Sequence, residues 1–388
     1  MSYSNRQFPR LDTSSDQLSH RRKFLTTLAA GAGALALGGC GGGGSGDANT
    51  SAVSADAVAN ASRRSTGKSS SNTTPTTSPS TGTGQVVNDT TFGVKGDGVT
   101  NDRAALQKAI DGTIGNILLI TGKSRIDVAG LTLHTNTHIR FASGASIKLL
   151  PHNTANYSIL QMQDAQNVTL ESPYLDGSKE LNSAVKDPND GGYGMGISII
   201  GSTNVNITSP TTINCWGDGI YIANSYSAPT KFCSDVTVTN HLSSGNRRQG
   251  VSIISGNNIT FQSPTWQTIA GTNPSAGLDI EPNSNNDVLQ NIKIVSPTTT
   301  NCVDGILIYL ANLPGPVAKN VSIAITNHHD TGASQNGFAV GGLSLNGHTV
   351  SGLITSNSPI FTRSADGFYL DSWDKAGPSV EVTNVTRN

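Results

Sequence analysis

From about residue 86 onwards the chain is built of short runs in which apolar and polar residues alternate, and a glycine punctuates them at near-regular distance. A glycine followed by an apolar, a variable and an apolar residue recurs at Gly196 (GISI), Gly219 (GIYI), Gly250 (GVSI), Gly277 (GLDI), Gly305 (GILI), Gly337 (GFAV) and Gly367 (GFYL). The intervals are 23, 31, 27, 28, 32 and 30 residues. Between them lie further alternating runs such as VNIT, VTVT, ITFQ, IKIV and VSIA. Alternation over four to six residues is the signature of a half-buried strand. A repeat near 28 residues with two or three such strands is one rung of a solenoid, whereas a propeller blade needs four strands and a longer repeat. The pattern predicts an all-β fold, a parallel β-helix, with the residues one and three after each glycine facing inward and those two and four after it facing out. Asn and Thr between the runs are expected to hydrogen-bond along the stack. This makes the Asn-x-Thr sequences at Asn167, Asn206 and Asn258 turn chemistry rather than glycosylation sites.

Ahead of the repeats stands FGVKGDGVTNDRAALQKAIDG, residues 92 to 112. Asn101 or Asp102 can cap a helix with Ala105, Leu106, Ala109 and Ile110 on one face and Lys108 and Asp111 on the other. A short amphipathic helix before many strands would cover the open end of a solenoid. The segment resembles the opening motif of pectate-lyase-superfamily proteins, among them polygalacturonase-like enzymes and many phage tail proteins. The resemblance continues through residues 130 to 150 and 167 to 178. It implies a right-handed parallel β-helix with a short N-terminal capping helix, covering residues 86–388, and a polysaccharide as substrate or partner.

The N-terminal part follows a different pattern. HRRKFL, residues 20 to 25, leads into a modestly apolar Ala/Gly-rich run that ends in LGGC at Cys40. Fourteen residues from Phe24 to Leu37 are short for a membrane span, so residues 1–39 read as a cleaved signal. The arginine pair resembles a twin-arginine export signal, and Leu37 to Cys40 resembles the lipobox of bacterial lipoproteins. The resemblance implies export, lipidation of Cys40 and attachment to a membrane through that lipid. Gly41, which is not the aspartate that retains lipoproteins at the inner membrane, points to the outer membrane. Residues 40–85 hold almost no large apolar side chain and read as a tether. Without the leader's five basic and two acidic residues the chain keeps 20 basic and 24 acidic ones, about −4. A mildly acidic chain without a basic run gives no electrostatic basis for binding nucleic acid. Cys215, Cys233 and Cys302 allow one disulfide at most. Buried stacking thiols are an equal expectation, and no Cys/His cluster suggests zinc.

Charged residues make up only 13% of the chain, so the two carboxylates of GLDIEP, Asp279 and Glu281, stand out. Two residues apart on a strand, they share the outward face at roughly 7 Å separation. That suits a general acid and base at a glycosidic bond, where carboxyls about 6.5 to 9.5 Å apart imply inversion. It equally suits ion pairs with Arg247 or Arg248 that hold the rung, or a calcium site, the only cofactor the sequence suggests. The outward ladder two after each glycine passes from Tyr221 through Ser252 to Asp279, and the next column carries Glu281 and Tyr309. These residues, with Arg247 and Arg248 beside Gly250, predict an exposed sugar-binding patch: tyrosines as stacking platforms, arginines for carboxylate or sulfate. The resemblance to polygalacturonases places WGDG, residues 216 to 219, on that family's NTDG rung and makes Asp218 a catalytic candidate. NRRQG, residues 246 to 250, stands where the family has two adjacent aspartates, and neither GHG nor RIK occurs. Alginate epimerases and lyases resemble GLDIEP in the glycine and aspartate but carry a histidine this motif lacks. By analogy with pectate-lyase-type elimination, Arg248 is a candidate base. His241 and His328 read as solvated loop residues. The competing reading for the whole chain is a non-catalytic glycan-binding or envelope protein on the same rungs.

Overall fold

The computed structural model describes residues 84–184, 192–373 and 377–388. The leader, Cys40 and the tether as far as residue 83 lie outside the described residues. The rest winds as a right-handed parallel β-helix of three sheets with eleven, eleven and nine strands, every pairing parallel. Each full rung gives one strand to each sheet. The rung of Gly250, for example, supplies Gln249–Ile253 to the third sheet, Gly256–Gln262 to the first and Thr265–Gln267 to the second.

The glycine period has a steric cause. A Cβ on Gly277 would stand 2.7 Å from the carbonyl oxygen of Gly305, and one on Gly196 2.6 Å from that of Gly219. The same clash recurs at Gly219, Gly250, Gly305 and Gly337, each against the glycine of the following rung. At this bend between the second and third sheets successive backbones pass too closely for any side chain. The inward residues that follow, Ile220 and Ile222, Val251 and Ile253, Leu278 and Ile280, Ile306 and Ile308, join Val236, Val238, Ile292 and Ile294 of the first sheet in one continuous core. Each such side chain contributes about 1.5–3 kcal/mol on burial.

The expected turn ladder is present. Asn167, Asn204, Asn258 and Asn291 adopt positive φ, a conformation asparagine tolerates, and their amides bond along the stack. Asn204 Nδ2 donates to Asn167 Oδ1 (2.7 Å) and Asn291 Nδ2 to Asn258 Oδ1 (3.0 Å). Asn206 departs from expectation: it and Asn204 both lie within the strand Thr203–Thr208, and it is Asn204, not Asn206, that takes the positive φ in that rung.

The helix is Arg103–Gly112, with Leu106, Ala109 and Ile110 buried. Of the two candidate residues it is Asn101 that supplies a capping bond, its Oδ1 accepting the Arg103 N–H (3.1 Å). Asp102, the N-cap, makes no capping bond, and its carboxylate accepts the backbone N–H groups of Lys95 and Gly96 (2.8 and 2.9 Å), fixing the glycine-rich loop. The helix stands where the first rung would have its third-sheet strand, beside Leu131–Leu133. Gln107 accepts the Thr132 N–H (2.9 Å) and donates to the Thr132 carbonyl (3.0 Å), while Arg103 Nε donates to the Gly130 carbonyl (3.1 Å). Side chains thus do for the open edge what a neighbouring strand would do.

His241 and His328 are not solvated. Both are buried inside the coil, in the turn between the first and second sheets, and burial pushes both imidazoles down to about 3. Trp266 Nε1 donates to His241 Nδ1 (3.2 Å), so the neutral ring carries its proton on Nε2, against Thr212 Oγ1 (2.8 Å). Thr299 Oγ1 stands 2.7 Å from His328 Nε2 and donates to Asp330 Oδ1 (2.5 Å). Cys215, Cys233 and Cys302 are buried free thiols, pushed up by burial, Cys233 and Cys302 to about 12.

Candidate functional site

The third sheet sets the register that the glycine pattern predicts. Tyr221 pairs with Ser252, Ser252 with Asp279, Asp279 with Leu307, Leu307 with Ala339 and Ala339 with Tyr369. This column faces out, since the residues on either side of it in each strand belong to the core. Asp279 lies one residue before the end of the strand Ala276–Ile280 with its side chain outward, and Glu281 follows just beyond the strand, its N–H bonded to the Ile253 carbonyl (3.2 Å). A second outward column lies one residue before each glycine: Asp218 pairs with Gln249, Ala276 with Asp304 and Asn336 with Asp366. Asp218, Asp304 and Asp366 thus each begin a strand.

Polar side chains concentrate on three rungs and connect diagonally from the column before the glycine to the column two after it on the next rung. Asp218 Oδ2 accepts Ser252 Oγ–H (2.8 Å) and Arg248 Nη1–H (3.0 Å). One rung on, Gln249 Nε2 donates to Asp279 Oδ2 (3.0 Å). Gln249 Oε1 accepts the Ala276 N–H (2.8 Å), which fixes the orientation of the amide. Sequence reasoning misses Gln249, although its place immediately before a rung glycine, level with Asp218, was the available signal. Arg247 Cζ lies 4.9 Å from the centre of the Trp216 ring, and Arg248 Cζ lies 6.0 Å from that of Tyr193.

The sequence predicts an exposed patch, yet Asp218, Ser252 and Asp279 are 0% accessible and Glu281 9%. Arg247, Arg248 and Tyr221 are buried too, and Tyr309 is half-buried. A charge withdrawn from water needs a partner or a hydrogen bond, and the Asp218–Arg248 pair and the Gln249 amide supply them.

Apolar clusters flank this polar centre. On the N-terminal side Tyr221 packs with Met195, Ile200, Ala223 and Ile254, and with the half-buried Tyr193 and Tyr226. On the C-terminal side Ala276, Leu307 and Ala339 pack with Tyr309 and Tyr369. Burial, Glu281 and Asp371 together push the Tyr309 phenol up. The loop that carries Tyr226 is pinned at both ends. Ser225, Ser227 and Lys231 bond Asp164 (3.0, 3.0 and 2.7 Å), and Asn224 Nδ2 bonds Asp287 Oδ1 (2.7 Å). Burial pushes Asp287 up to about 6, against the N–H bonds it accepts from Ser284 and Asn283. Among the described residues no group of three or more His, Cys, Asp or Glu side chains gathers as metal ligands would.

No family model matches the sequence, and no curated protein does. Solved structures resemble it in fold. The 1,3-alpha-1,4-beta-D-galactose-4-sulfate-3,6-anhydro-D-galactose-2-sulfate 4 galactohydrolase superposes with a TM-score of 0.59 at 14% identity, over 79% of this chain and 88% of that one. The A-module of the Azotobacter vinelandii mannuronan C-5 epimerase AlgE4 gives 0.46 at 16% identity, over 78% of this chain and 97% of that one. ORF18 of Geobacillus virus E2 gives 0.49 at 14% identity, over 78% of this chain, which spans only 61% of the viral protein.

Proposed function

We propose that this is an exported, lipid-anchored protein that cleaves or modifies a polysaccharide. The observation that carries the reading is the outward pair Asp279 and Glu281, in register on the third sheet between two tyrosine-bearing clusters. Aromatic faces stack on sugars, and the two carboxyls are the groups that acid–base chemistry at a glycosidic bond requires. Asp279 and Glu281 are the acid and base, and Tyr221 and Tyr309 the platforms. Arg248, bound to Asp218, serves with it to shape the floor and to position Ser252 rather than as a base. The fold likeness to a galactohydrolase supports a carbohydrate-active reading. For the N-terminal part the support is the sequence alone: a signal over residues 1–39, a lipid on Cys40 and an outer-membrane location. Among the described residues no helix is long and apolar enough to cross a membrane.

The test is to incubate the protein with neutral, uronate-containing and sulfated polysaccharides while following reducing ends and unsaturated-product absorbance. Reducing ends without unsaturation identify hydrolysis, and unsaturation identifies elimination. A non-catalytic glycan-binding role is the second reading, favoured by the complete burial of Asp279 and its bond to Gln249. Binding without either product would establish it. Metabolic labelling with a fatty acid, lost in Cys40→Ser, tests the anchor.

A further inference from the structure

The charge on the outer face of the third sheet is one-sided. Its three outward columns lie one residue before, two after and four after each glycine. From the Gly219 rung to the Gly367 rung they carry six carboxylates, on Asp218, Asp279, Glu281, Asp304, Asp366 and Asp371, and no lysine or arginine. The two arginines at the shoulder of Gly250 already face protein groups, Arg248 the Asp218 carboxylate at 3.0 Å and Arg247 the Trp216 ring at 4.9 Å. The sequence expectation that they clasp a substrate carboxylate or sulfate therefore meets a cost, since each would have to give up its present contact. Burial pushes Asp304 up to about 6, which still leaves it mainly ionised at neutral pH.

A chain lying along this face spans about 24 Å between the Tyr221 and Tyr369 rungs, five steps of about 4.8 Å. An anionic polymer would bring a negative charge against carboxylates on four of the six rungs, and on one of these, that of Asp218, the carboxylate is paired with Arg248 at 3.0 Å. Two like charges 4 Å apart repel by about 1 kcal/mol even in water, and by more where water is excluded. The apolar shelf of Leu307 and Ala339 with Tyr309 and Tyr369 offers no cation to offset this, but it does offer surface for the apolar face of a sugar ring.

We infer that the polymer accepted on this face is a neutral glycan, held by stacking on the tyrosines, and that polyuronates and sulfated glycans are repelled. This rests on the polysaccharide reading above and narrows it to a substrate class, one unlike the sulfated galactan in the name of the galactohydrolase that shares the fold.

The test measures binding of the full chain to neutral polymers (glucan, galactan, xylan, mannan) and to anionic ones (polygalacturonate, alginate, a sulfated galactan), at about 20 mM and about 500 mM salt. The inference expects a neutral polymer to bind with an affinity that changes less than about twofold across that range, and anionic polymers not to bind at low salt. Tighter binding of a uronate or sulfated polymer than of any neutral one would overturn the inference and leave the polysaccharide reading standing. Binding of no polymer would overturn both. Asp371→Lys adds a check: reversing one charge beside the shelf should create low-salt binding to polygalacturonate that fades as salt rises. An unchanged response would overturn the electrostatic argument.

Discussion

Two buried polar networks run along the same coil, one inside it and one outside. Within the coil Thr212, His241 and Trp266 form one hydrogen-bonded group, and Thr299, His328 and Asp330 form another. Outside it, on the third sheet, Asp218, Arg248 and Ser252 are linked, as are Gln249 and Asp279. The inner groups join hydroxyls and neutral rings with one another and, through Thr299, with the Asp330 carboxylate, and their work is finished once the chain is folded. The outer network keeps carboxylates in register along a face bounded by tyrosines, where an elongated ligand can lie. Burial alone does not separate structure from function, because Asp279 and Asp330 are equally inaccessible. What differs between them is the side of the sheet on which each lies.

Substitutions should therefore divide along that line. The largest effect is expected for Asp279→Asn, whose side chain can still accept the Gln249 amide. Turnover should fall about 10³-fold, the scale of a lost acid or base, while the urea midpoint stays within error; unchanged turnover would make the pair structural. Thr299→Val is the inner counterpart. It removes the hydroxyl shared by His328 and Asp330 and should cost about 3 kcal/mol in urea unfolding, with activity per folded molecule preserved. A loss of specific activity there would dissolve the distinction between the two networks.

Acid should also act on the inner network first. Below pH 6.5 the unfolded chain protonates His241 and His328, whereas the folded rings resist until about 3. Each therefore withdraws about 1.4 kcal/mol of stability per pH unit as acidity rises through that window. Asp287 and Asp304, raised from 3.8 to about 6, act in the opposite sense. They favour the fold at pH 4 and surrender that contribution as pH rises through 6. Asp330, also pushed up by burial, acts with them, so the acid and histidine terms oppose each other between pH 6 and 4. The stability gap between His241→Gln and the unmodified protein should accordingly shrink by about 1.4 kcal/mol per unit as pH is lowered from 6 to 4, read from urea melts. A constant gap would mean that the folded ring is already protonated. The smallest effect is expected for Tyr309→Ala, a rise of about tenfold or less in KM with kcat nearly unchanged, the size of one lost stacking contact. Equal losses in kcat would move Tyr309 from platform to reaction.

The scaffold was legible in the sequence for a reason now visible. The glycine column leaves no space for Cβ, so the repeat cannot drift, and the outward positions of Tyr221, Ser252 and Asp279 follow by parity. The interior histidines were hidden because polarity suggests a solvated loop. Yet the turn before the second sheet reads Pro173, Pro210, His241, Pro264, Pro297, His328 and Pro359, and the carbonyl of each bonds the following rung. Two histidines in a proline column, each after an Asn with positive φ, are a packing motif that a rung-by-rung alignment of the chain displays. The burial of the acids and the role of Gln249 were less accessible, since they depend on diagonal contacts between rungs whose lengths vary.

The Gln107 and Arg103 contacts to the Leu131–Leu133 edge carry a further consequence. A coil whose rungs are interchangeable has no intrinsic length, and a bare end would offer a template on which another copy could continue the winding. By filling the first open position of the third sheet with a helix, which no incoming strand can extend, the chain blocks continued winding at that sheet's edge, and the Gln107 and Arg103 side chains hold the block in place.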